Sequence, residues 1–275
     1  MKKKNTIITA LIILLVAGGG LGYYLLSYVP HRKAVTDFNK AVQMVRTKND
    51  SLKNDIAKAE KLIKTNQKPL DEKTLDNLKV AVATAKSELR KIPKVADKTE
   101  AINKQTKMLN QPIDYSKVTQ SLADSSSAYT TSVRQLTQIT NSSQAFIEER
   151  LKEISTIMGV QSVTETNDPN GNLNKQGGYK ASIYFTDNQV TETVDGADIV
   201  AKGADAGGNI EVYKTSDEAK VRNIYLSAFD GQGMLNPGSH YVYGTLVIRT
   251  SRYLTASQQT ALTNAIYNKL VEIKE

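Results

Sequence analysis

The chain of 275 residues has no cysteine and no tryptophan, and it has only two histidines. The absence of cysteine excludes disulfides, thiolate metal ligands and a cysteine nucleophile. The two histidines, His31 and His240, lie in different segments of the sequence, so they predict no two-histidine metal site within one chain. We therefore expect no metal and no cofactor.

The sequence also lacks the two common phosphate-binding patterns, the Walker loop and G-x-G-x-x-G. One stretch, KGADAGGNIEVYKTSDEAK at 202–220, nevertheless places three glycines near a predicted strand and helix. A phosphate loop lies between a strand and the N-terminus of the next helix. Here the glycines precede the strand, and Asp217 and Glu218 open the helix. The pattern argues against nucleotide binding and favours a flexible lead-in to a short strand.

Few residues have a pattern that suggests catalysis. Ser239 beside His240 resembles a nucleophile and its base, but adjacent residues of a strand point to opposite faces, which favours a role at the strand entry. Three loop carboxylates, Asp195, Asp198 and Asp205, are candidates for a cation site or for paired acids, although loop carboxylates usually face solvent. We expect a protein that is not an enzyme, with a hydrolase built from these groups as the least favoured alternative.

A long uncharged run at residues 6–29 predicts a transmembrane helix, because it is long enough to cross a hydrocarbon core of about 30 Å. Three tyrosines near the end of the run suit an interfacial aromatic belt. We predict a single-pass signal-anchor in the cell membrane, with a cytoplasmic tail at 1–5 and residues 31–275 on the extracellular side. The alternative is a cleaved signal peptide, since VAGGG resembles a cleavage site.

The net charge of +8 is distributed unevenly along the chain. Residues 31–157 carry a surplus of eight Lys and Arg over Asp and Glu, whereas residues 158–275 carry a net charge of −3. The basic middle segment suggests attraction to anionic lipid headgroups or to wall polymers, although a solvated, lysine-rich helical surface is the simpler interpretation. The acidic C-terminal part argues against nucleic acid as a partner.

Residues 31–157 predict a helical stalk, because apolar residues recur there at alternating spacings of three and four. The first helix is expected at 31–66, with Asn49 as a buried polar residue that fixes register and pairing. The second segment, 71–110, is either one helix kinked at Pro93 or two short helices. A third long helix is expected at 114–157.

Short turns between the three segments favour a three-helix bundle within one chain, which runs up, down and up again. Such a stalk would hold the C-terminal domain on the order of 50 Å above the membrane at about 1.5 Å per residue. The alternative is a coiled coil between chains, which would make the protein a homo-oligomer through its stalk.

After Met158 the hydrophobic pattern changes to a period of two, which predicts an α+β domain at 158–275. Four strands are expected, and capping boxes at Thr215 and Thr255 mark the starts of two helices. We predict a fold that is mainly α plus α+β. In the C-terminal domain, a sheet of about four strands and two helices on one face would form a two-layer α/β sandwich.

Tyrosine is the one surface feature that stands out, since eight of the thirteen tyrosines follow residue 158. The alternation of strand residues places five side chains on the sheet face away from the helices: Tyr184, Tyr213, Tyr241, Tyr243 and Arg249. Tyrosine and arginine provide large amphipathic contact areas, so this face is a candidate binding surface. The alternative is that the stalk end or the loop at 187–208 covers it.

Five stretches carry a resemblance to a known group of proteins: FNKAVQMV, KPLDEKTLDNLKVAVATAK, YKASIYFTDNQV, VAKGADAGGNIEVYKTSDEAKVRNIYLSAFDG and GTLVIRTSRYLTASQQTAL. They resemble uncharacterised membrane-anchored surface proteins of Gram-positive bacteria, some of which are labelled as homologues of an extracellular-matrix-binding protein. The resemblance implies a location in the bacterial cell envelope, and it offers no activity or catalytic motif to carry over to this chain.

Together these features predict a cell-surface protein that displays a small α+β domain on a helical stalk and binds a protein or an anionic cell-wall polymer. The non-catalytic alternative is that the protein is a structural spacer or an oligomeric scaffold of an envelope complex.

Overall fold

The computed structural model describes residue 20 and residues 22–274. The predicted tail and most of the predicted membrane span at 6–29 therefore lie outside the described residues. None of the helices in the described part of the chain is long and apolar enough to cross a membrane. A π-helical turn, Tyr24–Tyr28, leads directly into the first long helix.

The described residues contain eight α-helices and a sheet of five strands. The helices are α1 (Val29–Lys64), α2 (Lys73–Glu88), α3 (Thr99–Leu109), α4 (Ser116–Gln138), α5 (Gln144–Lys152), α6 (Ile199–Lys202), α7 (Ser216–Ser227) and α8 (Ala256–Val271). The strands are β1 (Ile157–Ser162), β2 (Ala181–Asp187), β3 (Gly207–Val212), β4 (Ser239–Tyr243) and β5 (Leu246–Thr250). The coarse prediction of a helix-rich chain with an α+β part is confirmed.

The chain forms two compact units. The first contains the described residues through Asn66 together with Leu75–Ser127, and the second contains Gln67–Thr74 together with the described residues from Ala128 onward. The predicted domain boundary at 157/158 therefore falls inside the second unit.

The first unit is built on the apolar stripe of α1. Phe38, Val42 and Val45 of this helix are buried against Ile102 and Leu109 of α3. Helix α1 thus packs within its own chain, as expected for a bundle, and an ion pair of 2.6 Å between Glu60 and Lys86 links it to α2.

The second predicted segment is two helices, because the chain is extended between α2 and α3, around Pro93. Asn49 of α1 is buried beside this break, where its Nδ2 donates to the carbonyl oxygen of Arg90 at 2.9 Å. The hydroxyl of Tyr115 donates to Asn49 Oδ1 at 2.7 Å and accepts from the Arg90 backbone N–H at 2.9 Å. Asn49 and Tyr115 therefore satisfy backbone groups that the end of α2 leaves without helical partners.

The prediction of one helix over 114–157 is wrong, because the chain turns at residues 139–143, between α4 and α5. The tight turn between β4 and β5 docks at this break: the backbone N–H of Thr245 donates to Ile139 O at 3.0 Å, and its Oγ1 accepts from Asn141 N at 2.8 Å. Gly244 has a φ of +60°, and a Cβ there would lie 2.2 Å from Ile139 O. Only glycine permits this close approach.

The second unit contains an antiparallel sheet with the strand order β1-β2-β3-β5-β4. On one face, Ile183, Phe185, Ile210 and Ile248 pack with α5, α8 and the segment around Ile139. The segment Gln67–Thr74 also belongs to this unit: Leu70 packs on the same core, and its backbone N–H donates to Ser132 O at 3.0 Å.

The opposite face is covered by α7 and by Val200 of α6, above Tyr184, Tyr213 and Val247. The predicted two-layer sandwich with two helices on one face is therefore wrong, since helices cover both faces of the sheet. The number of strands rises from four to five because YVYGTLVIRT is a hairpin, β4 and β5, rather than one strand. Both predicted capping boxes, at Thr215 and Thr255, are confirmed.

Candidate functional site: an arginine-lined pocket beside helix α7

The five residues of the candidate tyrosine face do not lie on one face of the sheet. Tyr241 and Tyr243 pair with Ile248 and Leu246, and directly opposed residues of an antiparallel pair point to the same side. They therefore lie on the α8 face, where the rings of Tyr243 and Tyr267 are 4.5 Å apart and Tyr241 is 49 % exposed. The side of the sheet predicted for these two tyrosines is wrong because the turn at Gly244 interrupts the alternation of inward and outward residues.

The other three residues, Tyr184, Tyr213 and Arg249, do lie together on the α7 face. Tyr184 and Arg249 are both aligned with Asn209 in the register of β2, β3 and β5. Tyr184 and Tyr213 are 4 % and 3 % exposed, so α7 removes both from the surface. Their positions define a buried polar cluster instead of an open tyrosine surface.

Glu211 of β3 is the centre of this cluster and is fully buried. Its two carboxylate oxygens accept from Arg222 of α7, with Nε–Oε2 at 2.8 Å and Nη2–Oε1 at 2.9 Å. The hydroxyl of Tyr213 donates to Oε2 at 2.7 Å, and Nη1 of Arg249 lies 4.0 Å from Oε1. The carboxylate fixes the position of the Arg222 guanidinium, because bidentate pairs are geometrically specific. Arg249 lies within ion-pair distance of the same carboxylate but forms no hydrogen bond with it.

Sequence reasoning missed Glu211 and Arg222. The available signal was a charged residue between Ile210 and Val212, in the middle of a predicted strand, where a charge must be paired if it is buried. The next helix begins at Ser216 and offers one arginine, Arg222, in its second turn.

The electrostatics of the cluster follow from burial and from the charge of Glu211. Burial and the neighbouring carboxylate both raise the pKa of Tyr213, and the same two causes raise the pKa of Tyr184. Burial lowers the pKa of Arg222, but the attraction of Glu211 outweighs it and the pKa is raised overall. Burial lowers the pKa of Arg249, and Glu211 offsets this effect only in part. The two phenols are therefore neutral, and both guanidinium groups keep their charge because arginine is not deprotonated in proteins.

A pocket of about 430 Å³ opens beside this cluster. Four cationic side chains line it, whereas Asp205 is its only carboxylate among the described lining residues. Apolar and aromatic side chains form other parts of the wall. The charged residues of the lining are Lys202, Asp205, Arg222, Arg249 and Arg252, and Tyr225 is one of its aromatic residues. The lining is thus strongly biased towards positive charge.

Asp205 does not neutralise this pocket. Its carboxylate is paired with Arg252 Nη2 at 2.9 Å, and Arg252 also donates to the carbonyl oxygen of Met234. Lys202 forms no ion pair with any carboxylate in the described part of the chain. The charge of Lys202 at the pocket wall therefore has no counter-charge from the described residues.

Arg249 has hydrogen-bonding capacity that the described residues do not use. Nη2 donates to Pro237 O at 3.3 Å, but the buried Nε finds no acceptor among the described residues. Only 15 % of the side chain is exposed, so little water can replace the missing partners. A guanidinium has five N–H donors, and leaving buried donors unpaired is costly. An anion in the pocket cannot reach the buried Nε, but it can accept from Nη1, whose nearest carboxylate oxygen, Glu211 Oε1, lies 4.0 Å away, beyond hydrogen-bond distance.

The glycines of 202–220 contribute to this architecture through close packing. Gly207 and Gly208 lie within β3, and a Cβ on Gly208 would come 2.5 Å from Phe185 Cζ and 2.2 Å from Arg249 O. The absence of a side chain lets β3 and β5 approach each other where Arg249 is anchored. The expectation of a flexible lead-in is corrected, because these glycines are part of the strand.

The other candidate residues have separate local partners. His240 is bonded through Nδ1 to Asn223 Oδ1 at 2.8 Å and through Nε2 to Asp230 Oδ1 at 3.1 Å, so its ring ties β4 to α7 and the following loop. Asp198 caps α6 by accepting from Ala201 N at 2.8 Å, and Asp195 is exposed. Within residues 22–274, no group of three or more His, Asp or Glu is arranged to hold a metal ion.

Comparisons with protein-family models, with curated proteins and with solved structures found no match to this chain. The chemistry of the pocket is therefore the basis for assigning a function.

Proposed function

We propose that this is a non-catalytic binding protein of the bacterial cell envelope, which binds an anionic ligand in the arginine-lined pocket of its second unit. The observation that carries the proposal is Arg249, a largely buried guanidinium with an unpaired donor at the wall of a cationic pocket. The predicted anchor at 6–29 and the basic surplus of residues 31–157 support an envelope location near anionic polymers.

The side chains of the pocket suit binding better than proton transfer. Its cationic groups are three arginines and one lysine, and a guanidinium stays protonated at all physiological pH values. Acid–base catalysis is most efficient with a group whose pKa lies near the working pH. Tyr213, which shares the Glu211 carboxylate with Arg222, has a raised pKa and is already bonded to Glu211. Guanidinium groups in fixed positions match the geometry of carboxylates and phosphates.

The proposal is tested with the full-length chain, purified in a non-ionic detergent and titrated with a hexuronate tetrasaccharide and with a tetraglutamate peptide. Arg249→Gln and Lys202→Gln should each weaken binding of whichever probe the wild type binds by about tenfold or more, since hydrogen bonds to charged groups contribute about 1.5–3 kcal/mol. Lys202→Gln is informative even if Arg249→Gln lowers stability, because Lys202 lies at the pocket wall and is only partly buried.

Arg150→Gln is the matched control. Arg150 is also a buried arginine of the second unit with unpaired donors, Nε and Nη1, but it lines neither this pocket nor the neighbouring cavity; it packs on Phe146 and donates to Glu272 O at 3.0 Å. Its substitution should leave the affinity unchanged. If wild-type protein and both pocket variants bind the probes equally, or if none of them binds these two probes or a tetrasaccharide that carries phosphate groups, the proposed function is wrong.

A further inference from the structure

A second cavity of about 730 Å³ adjoins the arginine-lined pocket. The two cavities share three lining residues, Asn170, Arg222 and Tyr225. The two cavities therefore lie on either side of a short ridge that Arg222 and Tyr225 form on α7. A single extended ligand can contact both cavities.

Tyr225 is the exposed aromatic residue at this ridge. It is 56 % exposed, although its neighbours hold its orientation: the guanidinium carbon of Arg222 lies 5.3 Å from the ring centroid, and the ring of Phe229 packs at 5.2 Å in an edge contact. A held, accessible aromatic ring offers a flat apolar surface with a hydroxyl at its end. Such a surface suits the C–H face of a sugar ring.

The second cavity also presents amide groups from the loop between β1 and β2. Asn170 and Asn172 are both exposed in its lining. An amide side chain can both donate and accept hydrogen bonds, which matches hydroxyl groups. Asp168 orders this loop by accepting from the backbone N–H groups of Asn170 at 3.0 Å and Leu173 at 2.7 Å, and from the hydroxyl of Tyr179.

The two cavities differ in charge, which gives the ligand a direction. The second cavity contains Asp217 and Glu218, at the start of α7, and it shares only Arg222 with the cationic pocket among the basic residues. Asp217 pairs with Lys220 at 3.0 Å, and Glu218 accepts from Thr215 N at 3.0 Å. An anionic group is therefore favoured on the Arg249 side, and uncharged hydroxyl groups are favoured on the Asn172 side.

We propose that the ligand is an acidic glycan, an inference that rests on the proposed function and names its ligand class. A sugar ring packs on Tyr225, its hydroxyls bond to Asn170 and Asn172, and its carboxylate or phosphate substituent binds Arg249 and Lys202. An acidic peptide would satisfy the cationic pocket but would make no comparable use of the exposed amides and the open ring.

The experiment compares four probes on the full-length chain at one ionic strength. They are a hexuronate tetrasaccharide, the same tetrasaccharide with its carboxyl groups reduced to alcohols, a tetrasaccharide that carries phosphate groups, and a tetraglutamate peptide. At least one acidic saccharide should bind roughly tenfold or more tightly than both the neutral saccharide and the peptide. Which of the two it is distinguishes a carboxylate from a phosphate substituent.

The variants then separate the ring contact from the charge contact. Tyr225→Ala should weaken binding of the acidic saccharide by about tenfold and leave that of the peptide within twofold. A double variant, Asn170→Ala with Asn172→Ala, should likewise weaken binding of the acidic saccharide and leave binding of the peptide within twofold. Tyr241→Ala is the matched control, because this tyrosine is exposed to a similar extent, 49 %, but lines neither cavity. The midpoint of thermal unfolding of each variant shows whether it is folded.

The possible failures are distinguishable. If the peptide binds as tightly as the acidic saccharides, and Tyr225→Ala weakens neither, the glycan inference is wrong while the anionic site stands. If the neutral saccharide binds as tightly as the acidic ones, and Arg249→Gln has no effect, the proposed function fails, and the inference fails with it.

Discussion

Arg222 binds both carboxylate oxygens of Glu211, at 2.8 and 2.9 Å, where a strand in the centre of the sheet meets the helix that covers it. Glu211 has no solvent exposure, and only 18 % of the Arg222 side chain is exposed. Arg222 lines the candidate pocket, and its pairing with Glu211 joins α7 to the sheet. The proposed ligand site and the stability of this face therefore share one residue, Arg222.

The buried pair leads to a prediction about stability. Glu211→Gln should lower the free energy of unfolding by about 3–5 kcal/mol, because removing one partner of a buried pair leaves the other charge uncompensated. Denaturation with urea, followed by circular dichroism, measures the change. The control is Asp217→Asn, which breaks the exposed pair with Lys220 and should cost less than about 1 kcal/mol. Equal costs for the two substitutions would contradict the role of Glu211.

The hydrogen bonds at the break between α2 and α3 predict a second stability effect, in the first unit. Tyr115→Phe removes the hydroxyl that joins Asn49 Oδ1 to the Arg90 backbone N–H, and it leaves both groups without that partner. The expected loss is about 1–3 kcal/mol of unfolding free energy. Tyr241→Phe, at an exposed position, should be nearly neutral in the same denaturation measurement. A neutral Tyr115→Phe would mean that water satisfies these groups.

The loop that carries Asn170 and Asn172 should respond to acid through Asp168. Burial raises the pKa of Asp168, but the hydrogen bonds from Tyr179 and from the Leu173 and Asn170 backbone N–H groups outweigh it and lower the pKa overall. A carboxyl whose pKa is lower in the folded state stabilises that state above its unfolded value of about 3.9. This contribution is lost as the pH falls through the folded-state value.

Asp168→Asn is the variant that tests this dependence. The unfolding free energies of wild type and variant should differ at pH 6 and converge as the pH is lowered from 4 towards 2. Glu165→Gln, a substitution at an exposed residue of the same loop, should show no such convergence. A wild-type advantage that persists unchanged at pH 2 would rule out the proposed loop anchor.

The core of the second unit predicts which fragments can fold. A fragment of residues 158–275 lacks Ile139, Ile147, Leu151 and Ile154, which all belong to the core cluster of the sheet. Each large aliphatic side chain lost from a core costs about 2–5 kcal/mol, so the four together exceed much of a typical stability of about 5–15 kcal/mol. The fragment should be unfolded by circular dichroism, and residues 67–275 should be folded. A cooperative melt of 158–275 would refute this account.

The sequence was most informative where the structure is local. The apolar stripe of α1, the helix break at Pro93 and the two capping boxes all depend on residues close in sequence, and all appear in the structure. The break between α4 and α5 has local signals, since Asn141 has a φ of +51° and Ser143 caps α5, but it is also held by Thr245, about a hundred residues further along the chain, which bonds to Ile139 and Asn141. No pattern within 114–157 records that contact.

The candidate site could be predicted only in part for the same reason. Arg249 was identified, but its partner Glu211 and the ridge residue Tyr225 were not, because they meet only when α7 folds back over the sheet. The side of a strand on which a residue lies follows from alternation only between turns, and the turn at Gly244 reversed the assignment of Tyr241 and Tyr243. Burial of Tyr184 and Tyr213 depends on the same fold-back of α7.

The segment Gln67–Thr74 belongs to the second unit although the chain on both sides of it belongs to the first. Gene fusion and recombination most readily exchange one uninterrupted stretch of coding sequence. A recombination event that transferred residues 128–275 to another chain would leave behind Leu70 and the backbone carbonyl of Gln67 to which Tyr129 donates at 2.8 Å. The second unit should therefore be inherited together with Leu75–Ser127 of the first unit, and the two parts should diversify as one gene segment.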